Sequence, residues 1–298
     1  MNVLLTGASG LIGSALAPAL ESSGHRVFKM QRGEGPGAKW NPAEGKIDLA
    51  PALPLDAVIH LAGENIGARW TAERKRRIRE SRVAGTRLLA ETLASLPSRP
   101  KVLVCASATG FYGDRGDEWL DESSPPGRGF LAEVCRDWEA ASAPTEAAGI
   151  RVVRLRFGIV LARQGGALAK MLPAFRLGLG GRLGDGRHYW SWIALQDAVA
   201  ALLHALTCES LCGAVNAVSP QPVTNREFTE TLGRALRRPT IFAMPRFAVD
   251  VLFGEMGREA MLASCRAKPA KLLAGGFQYR SPELEMALRR TILNPSVR

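Results

Sequence analysis

Thr6-Gly-Ala-Ser-Gly-Leu-Ile-Gly13 puts glycines at positions 7, 10 and 13 near the start of the chain. The apolar run Val3-Leu4-Leu5 before it reads as a strand. Leu11 to Ser22 after it carries apolar residues at helical spacing, and Arg26-Val-Phe-Lys-Met30 reads as a second strand. Between a strand and a helix, three glycines at this spacing have separate uses. The first allows a tight turn, the second lets backbone approach a pyrophosphate, and the third permits close helix–strand packing. The helix start then offers free N–H groups and partial positive charge to phosphate. The stretch predicts a dinucleotide-binding turn inside a βαβ unit.

The end of the second strand reads Met30-Gln31-Arg32-Gly33, with no carboxylate before Glu34. An Asp or Glu at this place accepts from a ribose 2′-hydroxyl, whereas an arginine suits a 2′-phosphate. A guanidinium pairs bidentately with phosphate, and no acid opposes it here. The expected cofactor is NADP(H), with Gln31 and Arg32 at its 2′-phosphate end.

Farther along, short apolar runs keep alternating with helical patterns. Asp56 to His60 and Lys101 to Ala106 read as strands, and Val152 to Leu155 reads as another. About Ala72 to Ser95 and Gly129 to Ala148 read as helices. Such alternation implies an α/β fold with a doubly wound parallel sheet, whose ligands sit beyond the carboxyl ends of the strands. After Leu161 the pattern turns glycine-rich, at Gly165-Gly166, Gly178 to Gly181 and Gly184-Asp-Gly186. Leu195 to Leu206 then reads as a helix and Ala214 to Ala217 as a last strand. Residues 1–160 are expected to form the cofactor-binding domain, with sheet contributions from about 189–218. Residues 161–298 are expected to be a smaller, mainly substrate-covering region.

With 46% hydrophobic and 22% charged residues among 298, the composition is that of a globular protein rather than a disordered one. No run reaches the roughly 18 apolar residues of a membrane helix. Met1 to Leu5 leads straight into glycines and polar residues, unlike a secretory leader. The odd count of 5 cysteines fits reduced thiols, so a cytoplasmic location without bound metal is expected. The net charge of +11 is concentrated in Arg69 to Arg82, which holds seven basic residues and two glutamates. Without interleaved aromatics or a recognised motif, this run reads as a solvated helix face, and no nucleic-acid partner is expected.

Several further motifs resemble the extended short-chain dehydrogenases/reductases: His60-Leu-Ala-Gly63, Gly85-Thr86-Arg-Leu-Leu89, Ser107-Ala-Thr-Gly-Phe-Tyr-Gly113, and Gly184-Asp-Gly186 followed by Asp197-Ala-Val. Ala62-Gly-Glu-Asn65, Arg69-Trp70, Trp138-Glu139, Arg156 to Leu161 and Phe175 to Gly181 are similar to an atypical "epimerase family" branch of that group. Its members are described as nucleoside-diphosphate-sugar epimerases and carry a C-terminal domain of unknown function. The resemblance implies a Rossmann-type fold and NADP binding. Gly7, Ser9, Gly10, Leu11, Ile12 and Gly13 would surround the pyrophosphate, Leu61 and Ala62 would cover the adenine ribose side, and Arg82 and Ser107 would complete the cofactor contacts.

The usual chemistry of that group needs a Tyr-x-x-x-Lys pair on a helix, with a nearby Ser or Thr. Leu131 and Cys135 stand at the Tyr and Lys positions, and Ala108 at the Ser position. Thr109 and Tyr112 are the remaining catalytic candidates. An oxidoreductase or epimerase acting on a small carbonyl or nucleotide-sugar-like substrate is therefore expected. The alternative is an NADP-binding regulatory or scaffolding protein without catalysis. A homodimer suits the fold.

Overall fold

A computed structural model describes residues 1–33 and 37–293; residues 34–36, among them Glu34, and the last five residues lie outside the described set. Six parallel strands form the main sheet: β1 (Asn2–Thr6), β2 (Arg26–Lys29), β3 (Ala57–His60), β4 (Val102–Ala108), β5 (Arg151–Phe157) and β6 (Gly213–Ala217). Their spatial order is β6-β5-β4-β3-β1-β2, so the chain reverses its direction of winding between β1 and β3. Beyond β2, a short antiparallel ribbon of Lys39–Asn41 and Lys46–Asp48 is tied to the strand end by a parallel Gln31–Lys39 bridge.

Ten helices are described. Those of the first half are α1 (Leu11–Ser22), α2 (Ala72–Ser95), α3 (Phe130–Ala140) and α4 (Ala143–Ala147). The second half holds α5 (Gly166–Arg176), α6 (Leu195–Thr207), α7 (Asn225–Leu236), α8 (Arg246–Phe253), α9 (Ala270–Ala274) and α10 (Leu284–Leu293). Alternate residues of each strand point to opposite faces, and both faces are apolar. Val3, Leu5, Ile59 and Val104 pack with Leu16 and Leu20 of α1 and Leu202 of α6. Leu4, Val58, Leu103 and Val152 pack with Leu89 and Leu93 of α2 on the other side. A second core, built around Leu172, Trp190, Phe228 and Leu288, belongs to the later part of the chain.

The expected helix over 129–148 is two helices. Ser142 turns its hydroxyl back to the Glu139 carbonyl at 2.7 Å, and Pro144 cannot donate a backbone hydrogen bond at the start of α4. From the 189–218 stretch only β6 enters the main sheet. Tyr189–Trp190 pairs with Val223–Thr224, and Trp192–Ala194 pairs with Ile159–Leu161, in separate ribbons. Among the described residues no helix is long and apolar enough to cross a membrane.

The basic run forms the start of α2, which is capped by Thr71 accepting from Arg74 N–H at 3.2 Å. Most of its cations have partners. Arg76 bonds Glu73 and Glu80, Arg79 bonds Glu133, and Lys75 bonds Glu255 at 2.8 Å.

Candidate functional site

The glycine turn is held by contacts that leave no room for side chains. Gly7 has φ of +69°, and a Cβ there would lie 2.7 Å from the Leu61 carbonyl carbon. A Cβ on Gly13 would lie 2.2 Å from the Gly7 carbonyl oxygen. Gly10, exposed beside Ser9, precedes α1 without a side-chain cap, and the first turn of the helix holds no acid. The N–H groups of that turn are thus left for an outside acceptor.

A chain of hydrogen bonds ties this turn to the neighbouring helices. Thr6 Oγ1 accepts from the N–H groups of Leu61 and Ala62, both at 3.2 Å, and meets His60 Nδ1 at 2.7 Å. Thr86 Oγ1 accepts from Trp138 Nε1 at 2.9 Å and meets His60 Nε2 at 3.0 Å. Two N–H groups already fill the lone pairs of Thr6 Oγ1, so its hydrogen goes to Nδ1. The neutral imidazole is then protonated at Nε2 and donates to Thr86, which has accepted only once. Burial lowers the His60 pKa to about 4. The unfolded chain, with an ordinary histidine near 6.5, then binds a proton that the folded chain refuses. Stability from this group is level above about pH 6.5 and falls by about 3 kcal/mol as the pH drops towards 4. Urea midpoints measured from pH 7 to pH 4.5 should fall less steeply in a His60→Asn variant than in the wild type. Equal slopes would remove His60 as the cause.

Beyond the carboxyl ends of β1, β3, β4 and β5 lies a cleft of about 1630 Å³, larger than a site for one drug-sized ligand. Leu11, Ile12, Leu61, Arg82, Ser107 and Thr109 are on its wall. Arg82 donates to the Glu64 carbonyl at 2.9 Å, and its guanidinium carbon stands 5.1 Å from the Trp138 ring centroid. Leu131 and Cys135 also line the cleft. Burial pushes the Cys135 thiol up to about 12, so at neutral pH it holds its proton. Gln31 and Arg32 are exposed at the end of β2, and Ala62 is buried beside the glycine turn.

Tyr112 does not suit the role of proton donor. Its side chain is fully buried and off the cleft wall. The phenolic O–H has two acceptors in reach, Asn216 Oδ1 at 2.7 Å and the Asp121 carbonyl at 2.8 Å, and its oxygen accepts from Arg156 at 2.9 Å. Burial raises its pKa to about 12. Arg156 also donates twice to Glu139, at 2.8 Å each, and Glu139 accepts from Ser107 at 2.7 Å. Burial alone would lower the Arg156 pKa; its bonds to Glu139 more than offset this. Ser107, spending its hydrogen on Glu139, faces the cleft as an acceptor. His188 is off the wall too, with its ring packed edge-on against Trp190 at 5.9 Å.

Sequence reasoning did not find the Glu139–Arg156 pair or Glu259. The visible signal for the first was Arg154 and Arg156 two apart in an apolar strand, on one face. Glu259, from a π-helical turn at Gly257–Met261, accepts from Phe130 N–H at 3.0 Å and Leu131 N–H at 2.8 Å. A carboxylate from the later part of the chain thus caps α3.

Six parallel strands, a glycine turn into a helix, and a cleft beyond the strand ends define a Rossmann-type α/β protein built like the extended short-chain dehydrogenases/reductases. The chain belongs to the NAD dependent epimerase/dehydratase family, whose sequence profile matches residues 3–215. Residues 244–291 match a domain of unknown function, DUF1731. An epimerase family protein of Mycobacterium leprae is 43% identical over 298 residues, which is 99% of this chain and 96% of the relative. The human epimerase family protein SDR39U1 is 37% identical over 98% of this chain and all of the relative. The crystal structure of isoform 2 of that human protein, with NADPH, superposes with a TM-score of 0.91 at 36% identity, covering 99% of this chain and 100% of that one.

Proposed function

We propose that this chain is an NADP(H)-dependent oxidoreductase or epimerase-like enzyme that works on a carbonyl compound in the cleft. The observation that carries the reading is the uncapped, acid-free start of α1, reached through glycines at which a Cβ would collide with backbone. The residues fit the cofactor. Gly7, Ser9, Gly10 and Gly13 would admit the pyrophosphate to the helix N-terminus, with Leu11 and Ile12 beside it. Gln31 and Arg32 would take the 2′-phosphate, Leu61 and Ala62 the adenine ribose side, and Arg82 and Ser107 the inner wall. The crystal structure of the human relative with NADPH supports the same choice.

When bound, the cofactor supplies or accepts a hydride. The chain's own part is orientation and exclusion of water. Thr109 offers a hydroxyl donor to a substrate oxygen, and Ser107 Oγ accepts from a substrate hydroxyl. Leu131 and Cys135 carry no transferable proton at neutral pH. Since general acid–base catalysis contributes about 10²–10⁴ in rate, turnover should be slow. That same pair favours a second reading, a cofactor-binding regulatory protein. Assaying NADPH oxidation against a panel of aldehydes and ketones separates the two, because a regulatory protein gives no turnover with any of them.

Arg32→Glu should weaken NADPH binding by at least about tenfold, the loss of about 1.4 kcal/mol, while NADH binding stays level or improves. Fluorescence titration with both cofactors reads this directly, and an unchanged preference would remove Arg32 from the 2′-phosphate site.

A further inference from the structure

The half of the cleft away from the glycine turn has an unusual lining for a sugar site. Four of the chain's seven methionines, Met171, Met244, Met256 and Met261, are on its wall together with Phe253. Methionine is flexible and polarizable, and suits irregular apolar bodies. Most polar groups nearby are already used by the protein itself; the Asn225 amide nitrogen and the Tyr189 hydroxyl have no partner among the described residues. Ser191 Oγ donates to the Cys265 carbonyl and accepts from Ala267 N–H, at 2.8 and 2.9 Å. Asn65 Oδ1 accepts from Gly67 N–H at 2.7 Å, and Lys170 donates to the Gly67 carbonyl. Both wall carboxylates are likewise bonded to backbone N–H groups. Glu259 caps α3, and Asp114 accepts from Ser264 N–H at 3.1 Å.

Two charges are left over. Arg128 and Arg246 are exposed cations on the cleft wall with neither an ion pair nor a side-chain hydrogen bond among the described residues. Arg69, Arg82 and Lys170 on the same wall instead donate to backbone carbonyls. The apolar lining also continues outward. Leu179, Phe242 and Leu252 belong to the wall and are 60%, 51% and 56% exposed. An apolar interior, an apolar lip and free guanidinium groups at the rim describe one kind of guest.

We propose that the substrate taken by this cleft is an amphipathic anion, with a large apolar body against the methionine wall and one anionic head group held at the rim by Arg128 and Arg246. A nucleotide sugar would find few unbonded polar groups for its sugar on a wall dominated by four methionines and Phe253. The proposal rests on the cleft being the NADP(H)-dependent site, and the two are tested separately.

Binding of cis-parinaric acid, a fluorescent long-chain monocarboxylate, to the full chain is measured with saturating NADP⁺; NADP⁺ binding is measured alone by calorimetry. The acid should bind at least tenfold more tightly than its methyl ester. Dodecanoate and dodecyl phosphate should both displace it if any anionic head suffices; displacement by dodecanoate alone narrows the head group to a carboxylate. Millimolar UDP-glucose should leave it in place. The double variant Arg128→Gln/Arg246→Gln should lose at least tenfold in affinity for the acid and none for the ester. Met256→Lys, which sets a charge in the apolar wall, should weaken acid and ester alike. Equal binding of acid and ester, an unaffected double variant, or displacement by UDP-glucose would overturn the proposal. Failure of NADP⁺ to bind in the calorimeter would instead overturn the cofactor reading.

Discussion

Gly13→Ala is expected to abolish NADPH binding and to destabilise the chain by about 3 kcal/mol or more. The added Cβ would lie 2.2 Å from the Gly7 carbonyl oxygen and 2.9 Å from the Ala8 Cα. Both are backbone atoms of the turn itself, so no side chain can swing aside. Relief requires α1 to move away from β1, and that opens the packing of Leu16 and Leu20 on the sheet. Gly10→Ala makes the informative contrast. Its Cβ would meet only the Gly7 oxygen, at 3.2 Å, from an exposed position where φ is already −76°. That variant should keep its thermal midpoint within the small range of an exposed substitution. It should nevertheless bind NADPH more weakly, because the methyl occupies the face the pyrophosphate would approach. Differential scanning calorimetry with NADPH fluorescence titration measures both effects. A Gly13→Ala protein with native stability and affinity would sink the proposed turn–phosphate geometry.

Glu139→Ala should cost about 3–5 kcal/mol, the price of leaving a buried charge uncompensated. Arg156 and Glu139 side chains are only 4% and 12% exposed, and the guanidinium sits 3.5 Å from the Phe111 ring centroid. Removing the carboxylate strands this cation and also frees Ser107 from its acceptor. Glu73→Ala is the control, since the Glu73–Arg76 pair is 57% and 59% exposed; an exposed pair is worth about 1 kcal/mol or less. Urea unfolding of the two variants should therefore differ severalfold in lost stability. Equal losses would mean that the buried Glu139–Arg156 pair is worth no more than an exposed one. Because Ser107 faces the cleft, the same variant should also change ligand affinity there.

Long, periodic elements were readable from sequence. The α2 helix runs Ala72–Ser95 as expected because Thr71 supplies a cap and Ile78, Leu89 and Leu93 recur on one face. The α1 helix was as clear, since glycine spacing marks its start and buried Leu16 and Leu20 mark its inner stripe. The two- and three-residue strands were not readable. Trp192–Ala194 and Ile159–Leu161 are too short for any alternation to show, and their pairing joins segments more than thirty residues apart. Tyr112 failed for a related reason. A tyrosine in a Phe-Tyr-Gly turn beside a cleft looks available, but Arg156 and Asn216, 44 and 104 residues away, claim its hydroxyl.

The α/β class and the phosphate-ready turn follow from local order along the chain, and the absence of a Tyr-Lys pair follows from the family resemblance that puts Leu131 and Cys135 at its positions. Backbone conformation, helix periodicity and residue identity need only near neighbours to be read. The direction of each functional side chain is a different kind of fact. Whether Tyr112 faces ligand or core, whether Ser107 donates or accepts, and whether the far wall is sugar-like or apolar depend on partners brought together only by packing. Glu259 capping α3 and four scattered methionines meeting in one cleft are products of that packing. Local chemistry sufficed to propose where a cofactor binds, while long-range contacts govern which groups remain free to meet a substrate.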